Sequence, residues 1–415
     1  MNFICSYGIA VKLKAPFILR GLLHIGVIAV LGLQAKAMGA TGTPECRQLS
    51  SSTQVLECAL RVHPEIQEAR VLAQEKGEQE GVAAQIPNPE LSSKFISGDT
   101  VDGKLNSVEL GLEQTFELGG KRDARIKKSE AESTLAAAEL LKVQEKVYRE
   151  TITALYRLRQ AQAELKILSE ALQTFSKLQK TYRSRSKLSP DQHVSLQIME
   201  LAEGDYKGRK LALETEILSQ NKEVELATGQ DLSQNSKILP PRKTNWPNFA
   251  ETELGLPLEG SDYRVALADL QLSKARLSLE QSLSIPDVKA GPIYQKQTQG
   301  LLGYQTFGIG LSLPLPLFHL NGAGRAAAGY GVTRTEIALT AAKKEVVDQR
   351  EIYLRKYQGA IQILKTSLSD IDIDRRRKKT QGYFEQGLVS GALAIEAHRQ
   401  VLDYTKSLNE QELNA

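Results

Sequence analysis

The sequence predicts a mainly α-helical protein with a small β part: long antiparallel coiled-coil helices, four β-strands and an internal two-fold repeat. Three observations predict it. Lys121 to Ser189 contains neither glycine nor proline. Segments of strict apolar–polar alternation precede that run and a second helical run. Short identities recur along the chain at an offset close to 199 residues.

The N-terminus comes first. Lys12, Lys14 and Arg20 precede an apolar run from Gly21 to Leu33, and Ala35-Lys36-Ala37 supplies an A-x-A site. This reads as a secretory signal peptide over residues 1–37, cut after Ala37 or Ala40, the alternative being an uncleaved anchor. The run is short for a membrane-crossing helix, and no later segment approaches 18 apolar residues. Cys5 lies in the signal region, leaving Cys46 and Cys58 in the mature chain. In an exported, oxidising compartment a lone pair reads as one disulfide, the alternative being two unpaired thiols. The 415 residues carry 53 basic against 49 acidic groups, a net charge of +4. That balance does not argue for a nucleic-acid partner, which calls for a clustered basic face.

The repeat sets the domain organisation. Ile86-Pro87-Asn88 resembles Ile285-Pro286-Asp287, and Leu110-Gly111-Leu112 resembles Ile309-Gly310-Leu311, both at an offset of 199. The expectation is a first copy over 38–230, a linker over 231–260 and a second copy over 261–415. The linker carries Pro240, Pro241, Pro247 and Pro257 with Gly255 and Gly260. Each copy opens with a helix, expected over Thr53–Gln85 and Asp262–Ser284, which an Ile-Pro stop ends. The last helix stops about 14 residues short of what the first copy predicts, so it is expected to be truncated.

Two strands follow each opening helix: Glu90–Ser97 and Ser107–Phe116, then Asp287–Gln295 and Tyr304–Leu313. Val108, Leu110 and Leu112 alternate with Glu109, Gly111 and Glu113; Phe307, Ile309, Leu311 and Leu313 alternate with Gly308, Gly310 and Ser312. Period two separates an apolar face from a polar one. Segments near ten residues suit a tilted membrane strand, although alternation taken alone favours a half-buried strand of a soluble sheet. Four strands cannot close a barrel around water, and lipid tolerates no open sheet edge. A membrane reading therefore needs three chains and a twelve-stranded barrel.

The long helices come next. Leu165, Leu168, Leu172, Phe175, Leu178 and Tyr182 recur at spacings of three and four. Leu354, Tyr357, Ile361, Leu364, Leu368 and Ile371 run as a heptad seam. Each long helix ends in a short turn: Lys187-Leu188-Ser189-Pro190-Asp191 and Gly387-Leu388-Val389-Ser390. Ser189 or Asp191 is placed to cap the returning helix, with Pro190 in its first turn. These turns are either plain hairpin ends or tips that dock on a partner's helices.

Catalytic, cofactor and metal sites are not expected. The five histidines are scattered, none beside a cysteine or carboxylate at ligand spacing. Gly119-Gly120-Lys121-Arg122 lacks the phosphate-loop spacing and reads as a strand-to-helix transition. Asp370 and Asp374 share a helix face ahead of the basic run Arg375 to Lys379. They read as a solvated, ion-paired surface or, repeated around a pore, as a cation-attracting ring.

Several stretches resemble a known family. Ala59-Leu60, His63-Pro64-Glu65-Ile66 and Ala69-Arg70 are similar to the opening helix of the TolC-like outer-membrane efflux factors, above all their heavy-metal (CzcC/CusC-like) branch. Phe116-Glu117-Leu118-Gly119-Gly120-Lys121-Arg122 and Leu313-Pro314-Leu315-Pro316-Leu317-Phe318 resemble the stretches leading into that family's long helices. Phe384-Glu385-Gln386-Gly387, with Leu393, Ile395, Glu396 and Arg399, resembles its second tip. The resemblance implies a homotrimer whose strands form a twelve-stranded barrel in outer-membrane lipid and whose helices form an α-barrel in the periplasm. It implies tips that dock on a periplasmic adaptor served by an inner-membrane RND-type transporter, a passive duct for metal cations, and an acidic ring at Asp370 and Asp374. A periplasmic coiled-coil scaffold, or a channel for drug efflux or type I protein secretion, remain the alternatives.

Overall fold

The structure, a computed structural model, describes residue 46 and residues 49–101, 103–247, 249, 260–318, 320–386 and 388–415. The expected signal peptide and linker residues 250–259 lie outside the described residues. The elements run α1 (Ser52–Val62), α2 (Pro64–Ala83), β1 (Glu90–Thr100), β2 (Gly103–Phe116), α3 (Lys121–Arg183), α4 (Pro190–Thr228), α5 (Ser261–Ser282), β3 (Val288–Gln299), β4 (Leu302–Ser312), α6 (Gly322–Thr366), α7 (Asp370–Glu385) and α8 (Gly391–Asn414). The element order repeats. Residue 90 opens β1 and 288 opens β3, 198 apart; 121 opens α3 and 322 opens α6, 201 apart.

The spine is α3, 63 residues in one helix, about 95 Å at 1.5 Å per residue. Helices α1, α2, α4, α5 and α8 all pack against it. Its seam behaves as the spacing predicts. Leu168 and Phe175 are fully buried, with Leu172, Leu178 and Tyr182 packed beside them.

Two long helices expected from periodicity are each broken. Pro64 holds His63 out of the helical region, at φ −53° and ψ 130°, and separates α1 from α2. His63 then serves the second helix, its Nδ1 accepting the Glu65 amide at 3.2 Å. The second break separates α6 from α7. Ser367 and Ser369 are extended, with ψ of 157° and 156°. Both hydroxyls satisfy local backbone groups instead: Ser367 Oγ donates to the Leu364 carbonyl at 2.8 Å, and Ser369 Oγ accepts the Asp372 amide at 3.2 Å. The heptad seam is therefore cut. Leu354 to Leu364 belong to α6, Leu368 sits in the break, and Ile371 is 72% exposed at the start of α7.

The strands are longer than alternation alone predicts. The gap expected between Ser97 and Ser107 closes to a turn between Thr100 and Gly103, because Gly103 (φ 116°) lets the chain reverse and Thr100 Oγ1 donates to its carbonyl at 2.7 Å. All four strands form one antiparallel meander, β1-β2-β3-β4.

Glu117-Leu118-Gly119-Gly120-Lys121 turns β2 into α3 and ties the two copies together. Gly119 and Gly120 adopt φ of 69° and 70°. Lys121 Nζ meets Asp287 Oδ1 at 2.6 Å, and the same oxygen accepts the Leu118 amide at 3.1 Å. Arg125 and Glu117 form a two-pronged ion pair behind it. In copy two Asn321 fills the place of Gly120 at φ 50°, its amide donating to the Glu280 carbonyl and carboxylate at 2.9 and 2.7 Å. A Cβ on Gly119 would lie 2.8 Å from Ile285. Gly119→Ala is accordingly expected to cost about 1–3 kcal/mol, read as a lower thermal unfolding midpoint; an unchanged midpoint contradicts this account of the junction.

Candidate functional site

The register of the meander decides what each face carries. Leu91 pairs with Leu112, Ser93 with Leu110 and Phe95 with Val108. Leu110 pairs onward with Tyr294, and Tyr294 with Phe307. Alternation then gathers Leu91, Phe95, Val108, Leu110, Leu112, Tyr294, Phe307, Ile309 and Leu311 on one face. None of the described residues covers it: Leu91, Phe95, Phe307, Ile309 and Leu311 are between 72% and 86% exposed. Tyr294 and Phe307 lean together at 5.0 Å between centroids. Toward the hairpin ends the same face turns polar, with Ser97 opposite Asn106 and Lys296 opposite Gln305.

The opposite face is mainly polar and glycine-rich, with Glu90, Lys94, Glu109, Glu113, Gln295, Gln297, Gly308 and Gly310 beside the apolar Ile96, Leu105, Ile293 and Tyr304. Glu90 and Lys289 pair there at 2.7 Å. Gly291 is required by closeness, since its Cβ would fall 1.8 Å from the Leu112 carbonyl oxygen. The outer strands β1 and β4 each have one partner strand among the described residues.

At the far end of the helices the two tips come together. Lys187, Ser189, Pro190 and Asp191 are exposed and Leu188 is half-buried. Ser189 is the cap of α4: its hydroxyl accepts the Gln192 amide at 3.3 Å, and the Gln192 side chain accepts the Ser189 amide at 3.2 Å. Asp191 lies in the first turn, where its charge suits the helix dipole. In the second tip Gly387 lies outside the described residues. Leu388 is 68% exposed, Val389 packs on the core beneath, and Ser390 caps α8 through the Leu393 amide at 3.4 Å. Gly391 brings the tips into contact, its Cβ position lying 3.4 Å from Ser195 and Met199 of α4.

Asp370 and Asp374 lie at the other end of α7, next to the α6–α7 break. Asp370 is ion-paired with Arg242 of the linker. Asp374 meets Arg377 at 2.6 Å and Lys378 at 2.7 Å. Those two cations, Arg377 first, hold its carboxyl down at about 2. Each of the two aspartates thus has a cation within the same chain.

Cys46 and Cys58 are joined in a disulfide with Cα atoms 5.8 Å apart. The side chains of Gln230 and Asn235 donate to the Cys46 and Leu49 carbonyls at 2.8 and 3.0 Å. The N-terminal segment is thereby fastened over Leu155 and Val224 of α3 and α4.

One buried network escapes sequence reading altogether. Arg157 reaches Glu164 at 2.9 Å and clasps Glu216 of α4, with Nη2 to Oε2 at 2.7 Å. Glu164 also accepts the Asn409 amide group of α8 at 2.7 Å. Gln160 donates to the Asn409 carbonyl and to Glu412, at 3.0 and 2.9 Å. Glu412 pairs with Arg159 and accepts the Lys243 amide at 3.1 Å. One patch of α3 so holds α4, α8 and the linker. The hydrogen bond from Glu216 raises the Arg157 guanidinium further above its ordinary value.

The comparisons with known proteins bear on this geometry. Residues 55–187 match the family described as Outer membrane efflux protein. The Cobalt-zinc-cadmium resistance protein CzcC of Cupriavidus metallidurans is 25% identical over 246 residues. That stretch is 57% of this chain and spans only 56% of CzcC. Among solved structures, the outer-membrane channel OprN superposes with a TM-score of 0.65 at 18% identity, over 87% of this chain and 86% of that one. The MtrE outer membrane channel of Neisseria gonorrhoeae in its open state gives 0.63 at 14%, over 88% and 86%. CusC gives 0.60 at 14%, over 89% and 90%.

The buried network yields a prediction. Arg157→Met leaves Glu164, whose side chain is 3% exposed, without its cation and is expected to cost about 3 kcal/mol, measured as a lower unfolding midpoint; a neutral effect contradicts the network's role. The chain has the fold of the outer-membrane channels OprN, MtrE and CusC, and its residues 55–187 match the outer membrane efflux protein family.

Proposed function

We propose that the chain is one subunit of a homotrimeric, passive exit duct of the outer membrane, carrying no chemistry of its own. The observation that carries this reading is the sheet: an uncovered apolar face, a mainly polar opposite face and two open edges. Water does not favour so large an apolar face, and hydrocarbon does not tolerate open edges. Both conditions are met when three copies join β4 of one chain to β1 of the next. Four strands from each copy then close a barrel with lipid outside and the Glu109 and Gln295 face lining the pore. Strands of 11 to 14 residues are long enough for a tilted span, which needs roughly 9–11.

The helical half extends the duct through the periplasm. The juxtaposed tips, Lys187 to Asp191 and Leu388 to Ser390, are where a periplasmic adaptor would dock, linking the duct to an inner-membrane RND-type transporter. Metal cations are the proposed cargo. The likeness to CzcC, a cobalt–zinc–cadmium resistance protein by name, supports that choice, and drug or protein cargo are the alternatives its failure would favour. The acidic ring is proposed in weakened form, because Asp370 and Asp374 are countered by Arg242, Arg377 and Lys378.

Phe307→Lys with Ile309→Lys puts two charges on the proposed lipid face at roughly 2–4 kcal/mol each near the midplane. The double variant is expected to leave the outer-membrane fraction and lose its heat-modifiable trimer; normal fractionation would contradict the barrel. Asp370→Asn with Asp374→Asn is expected to reduce the pore's cation preference. An unchanged preference assigns both residues to the solvated helix surface.

A further inference from the structure

His398 of α8 is 3% exposed, and neither ring nitrogen has a hydrogen-bond partner among the described residues. It stands edge-on to Phe175 of α3, with centroids 6.1 Å apart at 89°. The surrounding core is where two hairpins meet. Leu168, Phe175, Met199 and Tyr206 come from α3 and α4, and Phe384, Ile395 and Leu402 from α7 and α8.

The charged and titratable groups facing this core are few. From α3 comes Glu170, and from α7 Arg377, which is ion-paired with Glu170 and Asp374. From α4 comes Tyr206, whose buried hydroxyl is unpartnered and whose ring lies 5.3 Å from Phe175. On α8 itself, Arg399 is taken up by Glu396 at 2.8 Å, and Asp403 by Arg209 at 3.2 Å. A neutral imidazole fits such a place. An imidazolium there would bring two N–H donors and a full charge, with Arg377 nearby and Glu170 already engaged. Burial first, and then the Arg377 charge, push the ring below its ordinary 6.5.

The base of the same hairpin is held to α3 through Asn409 and Glu412, and its length through the Arg377–Glu170 and Arg209–Asp403 pairs. Extended Ser367 to Ser369 separates α7 from α6. The break is tied by the Leu368 amide donating to Tyr404 Oη at 3.1 Å and by the Arg242–Asp370 pair. Beyond that base the α7–α8 hairpin can therefore swing from α3 and α4 without unwinding α6.

We propose that α7–α8 is an acid-released hairpin: protonation of His398 frees it from α3–α4, with Ser367–Ser369 as the pivot. The device lies within one chain and stands whether or not the assembled protein conducts. Its sign follows from linkage. A ring whose packed value is depressed supports packing fully above 6.5, and that support is lost as pH falls below 6.5 toward the depressed value. If the packed form takes up no proton, the released population rises about thirtyfold at pH 5 and by only about a tenth at pH 7.5.

Amide hydrogen exchange of residues 391–414 in the full chain tests this, corrected for the intrinsic effect of pH and referenced to residues 121–150 of α3. Protection at pH 5.0 relative to pH 7.5 is expected to fall, by up to about thirtyfold, with the fall setting in as pH drops through 6.5. His398→Phe and His398→Gln are each expected to abolish the fall. The glutamine variant reads the same quantity if the phenylalanine does not fold. An equal fall in a folded variant, no fall in the native chain, or a fall that sets in only under about pH 4, where carboxylates titrate, would overturn the proposal.

Discussion

The outer strands β1 and β4 carry backbone amides and carbonyls that no further strand among the described residues satisfies. Beside those edges lies an apolar face that no described helix covers. Together they make the isolated chain an incomplete object, because a buried, unpaired backbone group costs as much as a lost hydrogen bond. A soluble sheet with these residues would bury Phe307 and Ile309 against a helix, yet here both stand open. The rest of the architecture follows from supporting that sheet at one end of a long helical stalk.

The stalk is organised by α3. Its 63 residues contact the sheet junction through Lys121, the linker through Arg159 and the second hairpin through Phe175. Apolar seams hold the tip, and a polar network of Arg157, Gln160 and Glu164 holds the middle. The network satisfies every group except Gln160 Oε1 among its buried side-chain atoms. It also fixes register: a one-turn slip of α8 would leave Glu412 and Asn409 facing the wrong residues.

Much of this was legible in the sequence, for physical reasons. Period-two alternation in Val108–Leu112 and Phe307–Leu311 reports which side chains share a face, and the pairing register agrees. The glycine-free run reports a continuous helix because nothing in it interrupts the backbone. The breaks at His63 and Ser367–Ser369 were missed for a complementary reason. Apolar spacing continues across them, while Pro64 and the serine hydroxyls act on the backbone. Arg157, Glu164 and Glu412 were illegible because ion pairs between helices depend on inter-helix register, which no local pattern carries. His398 looked like one of five scattered histidines, and only the packing of Phe175 and Arg377 around it gives it meaning.

The most direct test of the account is single-channel recording in planar bilayers with the purified mature protein. Unitary conductance steps from a trimer are the predicted result, since three copies close the sheet that one leaves open. A protein that inserts nowhere and conducts nothing would contradict it, leaving a periplasmic coiled-coil scaffold as the better description of the same helices.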